Sequence, residues 1–312
     1  ILNWNMGMTY RLRERDERVY PQGELARRTI GQVGDKGNYG VEYVLRDVLE
    51  GRDGKARRQR IARGFYGRVV GGDNSEPEDG LDVVTTLDLE MQDVADRALR
   101  RQLEAQNALW GTALVMEVAT GDLLAMANLP RTKSGAHAEV KNHALSSRME
   151  PGSTFKLAAL LALVDDAGMS LDETFDTGNG ARVKVGRTTV QDSHGLPPLN
   201  LKDAVAHSSN VFFARAVYET YKDDPERYVD YLRHLHLDRT VGLEEFGAVA
   251  PIFPAPGMKI WYPDVSIVNM GYGYAIELTP LHTLTLYNAV ANDGCMVAPR
   301  LVREIRRGGE VV

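Results

Sequence analysis

A serine and a lysine separated by two residues form the sharpest chemical feature of this sequence. Ser153 and Lys156 stand in a Ser-Thr-Phe-Lys run directly after Pro151-Gly152. Residues i and i+3 share a helix face, so we expect the lysine amine beside the serine hydroxyl, at a helix start that favours charge on Ser153. A serine at its free pKa is a poor nucleophile, and a lysine kept neutral by apolar burial is a suitable base. Alone, this spacing equally fits a capping serine beside a surface lysine.

A second polar feature is the triplet Ser208-Ser209-Asn210, which lies between two apolar helical stretches. Polar groups in such a place are costly unless they line a cleft or pair with one another. Ser208 is a candidate for passing a proton between Lys156 and a leaving group. Asn210 is a candidate for holding the lysine and a substrate carbonyl. The alternative for the triplet is an ordinary helix N-cap.

Other residues that bear chemistry give weaker signals. Asp192 and His194 supply, with Ser153, the residue types of a catalytic triad, but Lys156 already provides a base. The remaining histidines show no spacing typical of metal ligands, and the single cysteine, Cys295, can form no disulfide within the chain. No metal site is therefore expected from these residues.

Composition bounds the class of protein. The 312 residues favour two domains, and the net charge of −6 with a pI near 5.7 argues against a nucleic-acid partner. No run of about 20 apolar residues is present, so no segment is expected to span a bilayer. The chain opens at Ile1 without a signal-peptide pattern, and we expect it to be a fragment.

The elements that must position these residues are a mixture of helices and strands. Up to about residue 80 the sequence is polar and rich in glycine, which favours strands and turns, and 71–80 is the clearest linker. A strand, the N-cap residue Asp88 and an apolar-periodic helix follow, and then two apolar runs around a Thr-Gly-Asp turn predict a β-hairpin. Further helices are predicted over 151–168, over 201–222 around a polar break, and over 279–293. The fold class is α+β.

Together, the two polar features resemble the signature of penicillin-binding proteins and class A β-lactamases, in which S-x-x-K and S-D-N precede K-T-G. Three longer sequence segments also match that family: EPGSTFKLAALLAL, SSNVFFARA and GYGYAIELTPLHTLTLYNAVANDG. The N-terminal part resembles the non-catalytic domain of class B enzymes in its Arg18-Val19-Tyr20-Pro21, Ile30-Gly31 and Gly40-Val41-Glu42 runs. The resemblance covers nearly the whole chain.

The resemblance implies a penicillin-binding/serine β-lactamase-like transpeptidase domain, with an antiparallel sheet between helical layers, after an incomplete β-rich pedestal. We expect the pedestal over 1–78 and the transpeptidase domain over 79–312. One departure matters: there is no Lys-Thr-Gly up to Val312. Truncation or disorder of the C-terminal part is the plainest interpretation, and we expect the missing strand to be encoded beyond Val312.

The resemblance also implies a reaction, which needs no metal or organic cofactor. Ser153, Lys156, Ser208 and Asn210 are the expected catalytic residues of a D,D-transpeptidase, which cross-links peptidoglycan stem peptides ending in D-Ala-D-Ala and is inhibited by β-lactams. The sequence around Ser153, Glu150-Pro151-Gly152-Ser153, resembles that of division-type (septal) class B enzymes. Expected partners are a membrane glycosyltransferase and division proteins. The expected location is the inner membrane, with a single-pass anchor outside this chain and the catalytic domain in the periplasm.

Three alternatives stay open at this point. A β-lactamase would need a deacylating base, for which no glutamate-bearing loop is evident, and would not need residues 1–80. A β-lactam sensor shares the acylation chemistry, but the class B-like N-terminal part argues against it. A catalytically silent division scaffold is favoured only by the missing third motif.

Overall fold

The computed structural model describes residues 19–35, 37–55, 58–62, 65–68 and 75–312. Arg18 of the N-terminal resemblance and residues 71–74 of the expected linker lie outside these ranges. The strands that the structure describes pair antiparallel, and more of its residues lie in helices than in strands.

The N-terminal region contains short helical turns as well as strands. Helices α1 to α3 span Arg27–Ile30, Gly40–Val44 and Arg46–Leu49, and strands β1 and β2 (Arg58–Ala62 and Phe65–Arg68) form a hairpin. The glycine-rich sequence predicts mainly strands and turns, so the described part is more helical than expected. Close packing explains two of its glycines: a Cβ on Gly40 would lie 2.5 Å from the Cα of Gly31.

A helix-backed hairpin follows, as the sequence predicts. Strand β3 (Asp82–Thr85) leads into α4 (Leu89–Ala105), and the Asp88 side chain caps this helix by accepting a hydrogen bond from the Met91 N–H at 2.9 Å. Strands β4 (Thr112–Met116) and β5 (Leu123–Asn128) then pair antiparallel across the Thr-Gly-Asp turn. Four apolar residues of β5 are fully buried, because α4 covers one side of the hairpin: Leu123, Ala125, Met126, Ala127.

Most of the elements after this hairpin pack around one large apolar core. Helix α5 spans His143–Ser146, and the predicted 151–168 helix consists of a 3₁₀ turn (Gly152–Phe155), α6 (Lys156–Leu161) and a π turn (Ala162–Asp166). Four short strands and five helices follow: β6 (Thr174–Phe175), β7 (Val183–Val185), β8 (Thr188–Val190), β9 (Leu199–Asn200), α7 (Leu201–Ala206), α8 (Asn210–Tyr221), α9 (Pro225–His234), α10 (Ser266–Gly271) and α11 (Pro280–Ala291). Helix α8 is the centre of this core, since it packs against α6, α10 and the β7–β8 hairpin.

The last two strands form a small sheet with β3. Strand β10 (Val302–Arg307) pairs with β3 on one side and with β11 (Glu310–Val311) on the other. The buried Asp122 carboxylate binds Arg300 at 2.6 Å and Arg303 at 3.0 Å, which fixes this small sheet to the start of β5. Helices α4 and α11 lie against the β4–β5 hairpin. The antiparallel strands therefore lie between helices, as the sequence predicts.

Two features are absent from the described ranges. None of the helices there has the length and apolar character needed to cross a membrane. The same ranges hold no group of three or more metal-ligating side chains.

Candidate active site

The 3₁₀ turn at the start of α6 presents a serine to solvent and directs a lysine inward. Gly152 has a φ of +56°, and its N–H donates to the Gly273 carbonyl at 2.9 Å, which fixes the turn. Ser153 is exposed, whereas Lys156 on the next turn is only 5% exposed. Burial of the lysine follows from its neighbours Phe155, Ala158 and Ala159, which are all in the core.

The Lys156 amine lies among oxygen atoms from both sequence motifs. Its Nζ is 3.2 Å from the Ser153 Oγ, as the i, i+3 spacing predicts. It is also 3.0 Å from the Ser208 Oγ and 2.7 Å from the Asn210 Oδ1. The Ser208 carbonyl accepts a further hydrogen bond at 2.5 Å. The four residues that the sequence singles out therefore meet around one nitrogen atom.

The surroundings of Lys156 shift its amine toward the neutral form. Burial lowers the pKa of Lys156 from 10.5 to about 8, against an opposing effect of the nearby Asp192 carboxylate. The Phe213 ring, with its centroid 5.9 Å from Nζ, forms part of the apolar surroundings. At pH 7 about a tenth of such amines are neutral. A neutral amine can donate to the Ser208 carbonyl and to Asn210 and still accept the Ser153 proton.

The Ser208–Asn210 triplet forms a tight turn between α7 and α8. Ser208 takes a left-handed conformation with a φ of +52°, which turns both its carbonyl and its hydroxyl toward Lys156. Ser209 is the N-cap of α8 and accepts a hydrogen bond from the Phe212 N–H at 3.0 Å. The N-cap alternative is therefore correct for Ser209, while Ser208 and Asn210 face the lysine.

A third segment lies beside the serine. Gly152 and Gly273 approach so closely that a Cβ on Gly273 would lie 1.8 Å from the Gly152 carbonyl oxygen. The Glu150 carboxylate accepts a hydrogen bond from the Ala275 N–H at 3.0 Å. Met149 and Leu278 exchange two backbone hydrogen bonds of 2.9 Å each. The first residues of the 271–294 segment, which matches the family in sequence, thus lie next to the Ser153 turn.

Residues 111–310 match the family described as the penicillin-binding protein transpeptidase domain. The chain belongs to this family. Among curated members, it is 31% identical over 305 residues to "Penicillin-binding protein PbpB" of Mycobacterium tuberculosis, which covers 92% of this chain and 43% of that protein. It is 27% identical over 292 residues to "Probable peptidoglycan D,D-transpeptidase PenA" of Neisseria meningitidis, with 90% and 48% covered.

The fold is also similar to that of solved penicillin-binding proteins. Penicillin-binding protein 3 of Mycobacterium tuberculosis complexed with aztreonam superposes with a TM-score of 0.78 at 27% identity, over 96% of this chain and 63% of that one. A third curated relative, "Probable peptidoglycan D,D-transpeptidase FtsI" of Caulobacter vibrioides, is 27% identical over 97% of this chain. The chain spans less than half the length of these curated relatives, 43–48%.

One residue of this penicillin-binding protein site was not predicted from the sequence. The Asp192 side chain, which is 7% exposed, hydrogen-bonds Ser209, Asn210 and Val211 instead of His194. Among the described residues, His194 has Ser193 as its hydrogen-bond partner at 3.0 Å, and its ring contacts that of His207 on the surface. The triad alternative is therefore not supported. No local pattern marks Asp192, since its partners follow 17 to 19 positions later.

Proposed function

We propose that this chain carries the catalytic region of a peptidoglycan D,D-transpeptidase of the class B, division type. The observation that carries the proposal is the position of the Lys156 Nζ, between the Ser153 Oγ at 3.2 Å and the Ser208 Oγ at 3.0 Å. Burial lowers the pKa of the same amine to about 8, so that it can act as a base near neutral pH.

The reaction has two halves. Ser153 attacks the carbonyl of the D-Ala-D-Ala bond while its proton passes to Lys156, and the Ser153 backbone N–H faces the developing oxyanion. The proton then reaches the leaving D-Ala amine through Ser208, and the acyl-enzyme remains. An amine from a neighbouring stem peptide attacks the ester, takes the acyl group and returns the proton to the serine. Asn210 holds the lysine and binds a substrate carbonyl.

β-Lactams fit the same chemistry as substrate mimics. Their strained amide acylates a serine, and the opened ring stays attached, so no leaving group departs. The support comes from relatives: structures of penicillin-binding protein 3 from Mycobacterium tuberculosis carry aztreonam and ampicillin. We extend this behaviour to Ser153.

The setting of the enzyme is part of the proposal. Relatives named FtsI and PenA support a role in peptidoglycan synthesis at division. We place the catalytic domain in the periplasm, tethered to the inner membrane by a single-pass anchor, with a membrane glycosyltransferase and division proteins as partners. We also propose a domain boundary near residue 78, ahead of β3.

Labelling of the full encoded protein with a fluorescent penicillin tests the assignment. The label should appear on the peptide that contains Ser153 and should be lost in Ser153→Ala. Ser170→Ala, a change of an exposed serine outside the site, should label like the wild type. Full labelling of the Ser153→Ala protein would contradict the proposal.

A catalytically silent division scaffold is the second candidate. Absence of label in the full encoded protein, with the fold intact by circular dichroism, would support the scaffold. Rapid release of the label would instead indicate a β-lactamase.

A further inference from the structure

The Asp192 carboxylate is buried directly behind the Ser208–Asn210 turn. It accepts hydrogen bonds from the Ser209 hydroxyl at 2.8 Å, from the Asn210 N–H at 2.5 Å and from the Val211 N–H at 3.2 Å. Two of these donors are backbone groups of the first turn of α8, which otherwise lack a partner within the helix. Three donors on one buried carboxylate fix the turn more firmly than neutral hydrogen bonds would.

Lys156 contacts the same turn from the opposite side. Its amine binds the Ser208 carbonyl at 2.5 Å and the Asn210 Oδ1 at 2.7 Å. Asn210 thus joins the two charged residues: its N–H donates to Asp192, and its side-chain oxygen accepts from Lys156. The left-handed φ of Ser208, +52°, is strained for a residue with a Cβ and needs such support on both sides.

We propose that Asp192 is a positioning residue for the Lys156 base, and that its carboxylate fixes the Ser208–Asn210 turn so that the turn holds the amine against Ser153. The inference rests on the proposed function, because it takes Lys156 as the base. Asp192 itself does not touch the substrate in this scheme. Its effect passes through Asn210 and the Ser208 carbonyl.

The charge of Asp192 adds a measurable signature. Its negative charge raises the pKa of Lys156 and so opposes the effect of burial. The other charged side chains of the β7–β8 hairpin, the segment after it, α7 and α8 are half-buried or exposed: Lys184, Arg187, His194, Lys202, Asp203, His207, Arg215, Glu219. None of these hydrogen-bonds Asp192 in the described structure.

The test replaces the charge and keeps the shape. Asp192→Asn retains an oxygen for the two backbone donors and removes the negative charge. The Lys156 titration is followed by NMR in protein that carries ¹³C at the lysine ε-carbon, with the signal assigned by its absence in Lys156→Ala. The midpoint, expected near 8 in the wild type, should move to lower pH. With a fluorescent penicillin, the acidic limb of the acylation profile should move in the same direction, and the rate at its optimum should fall about 10- to 100-fold.

Asp88→Asn is the matched control, because Asp88 also caps a helix through a backbone N–H but lies at the exposed start of α4. It should change neither the Lys156 midpoint nor the rate. Asp192→Ala removes the acceptor as well and should lose more rate than Asp192→Asn. An unchanged or higher midpoint in a folded Asp192→Asn protein would overturn the proposal, as would a rate equal to that of the Asp88 control.

The NMR measurement needs no acylation. If the wild type fails to react with penicillin, the proposed function fails, while the midpoint still decides whether Asp192 acts on Lys156. If Asp192→Asn unfolds, Ser209→Ala removes one of the three donors and should weaken the same turn without changing the charge. A rate and midpoint unchanged in folded Ser209→Ala would then count against a positioning role.

Discussion

The Lys156 amine is surrounded by oxygen atoms on one side and by hydrocarbon on the other. The oxygen atoms of Ser153, Ser208 and Asn210 provide its hydrogen bonds, while Phe213 and the α6 alanines exclude water. The same burial that makes an ammonium unfavourable makes the neutral amine available near pH 8. A single side chain in this environment can therefore accept a proton that a surface lysine cannot.

Substitution of Lys156 should show whether this residue acts as the base that activates Ser153. We expect Lys156→Ala to slow acylation by about 10²- to 10⁴-fold, the usual contribution of a general base. Lys156→Arg should not restore the rate, because a guanidinium stays protonated at working pH. The measurement is the second-order rate constant for fluorescent penicillin, with the exposed Lys202→Ala as a control. A near-normal rate in the arginine variant would show that Lys156 is not the base.

At the scale of elements, the position of Ser153 depends on contacts between its turn and the segment after α10. The Gly152 carbonyl and the Gly273 backbone pass so closely that no side chain fits between them, and Met149 pairs with Leu278 as a short ladder. These contacts hold the residues directly before Ser153 against the segment after α10. The segment after α10 is also held by the apolar packing of α10 against α8.

A pair of glycine substitutions measures the importance of this contact. Gly273 and Gly247 both have a φ of +94°, so alanine at either position carries similar backbone strain, about 1–3 kcal/mol. Only at position 273 would the new Cβ clash, since nothing lies within 4 Å of a Cβ at position 247. Gly273→Ala should therefore lose more stability in urea unfolding and more than about tenfold in acylation rate. Equal losses in the two variants would rule out the contact as a determinant of the site.

At the scale of the whole molecule, a half-buried glutamate joins the N-terminal region to the catalytic region. The Glu139 carboxylate accepts hydrogen bonds from the Arg28 N–H at 3.1 Å and from the Asn128 N–H at 3.2 Å. Arg28 belongs to α1, and Asn128 ends β5. Burial raises the pKa of Glu139 to about 7, although the two backbone donors act in the opposite direction.

This link should make stability depend on pH. Because the folded pKa of Glu139 lies above its unfolded value, its contribution to stability is fully present below about pH 4.5 and is lost as pH rises through about 7. Glu139→Gln resembles the protonated acid and should lack this loss. The difference in unfolding free energy between wild type and variant, measured by urea denaturation from pH 5 to 8, should shift steadily in favour of the variant. A difference that is constant with pH would show that the pKa of Glu139 is not raised.

The sequence alone identified the family because the family motifs are local patterns, and the resemblance to that family predicted that Ser208 and Asn210 lie near Lys156. Ser153 and Lys156 meet through the repeat of one helical turn, and Asp88, the Thr-Gly-Asp turn and the two helices around Ser208 follow from capping and periodicity. The division at residue 78 and the catalytic roles of the four site residues stay predictions.

Only the tertiary structure decided how distant segments converge on that site. Asp192 reaches Ser209 from 17 positions earlier, and Glu150 reaches Ala275 from 125 positions earlier, distances over which sequence spacing carries no geometric information. The helical turns of the N-terminal region were missed because glycine-rich segments take their conformation from close contacts such as that between Gly31 and Gly40. Local propensity determines which residues can share a turn, whereas burial in a common core determines which turns face one another.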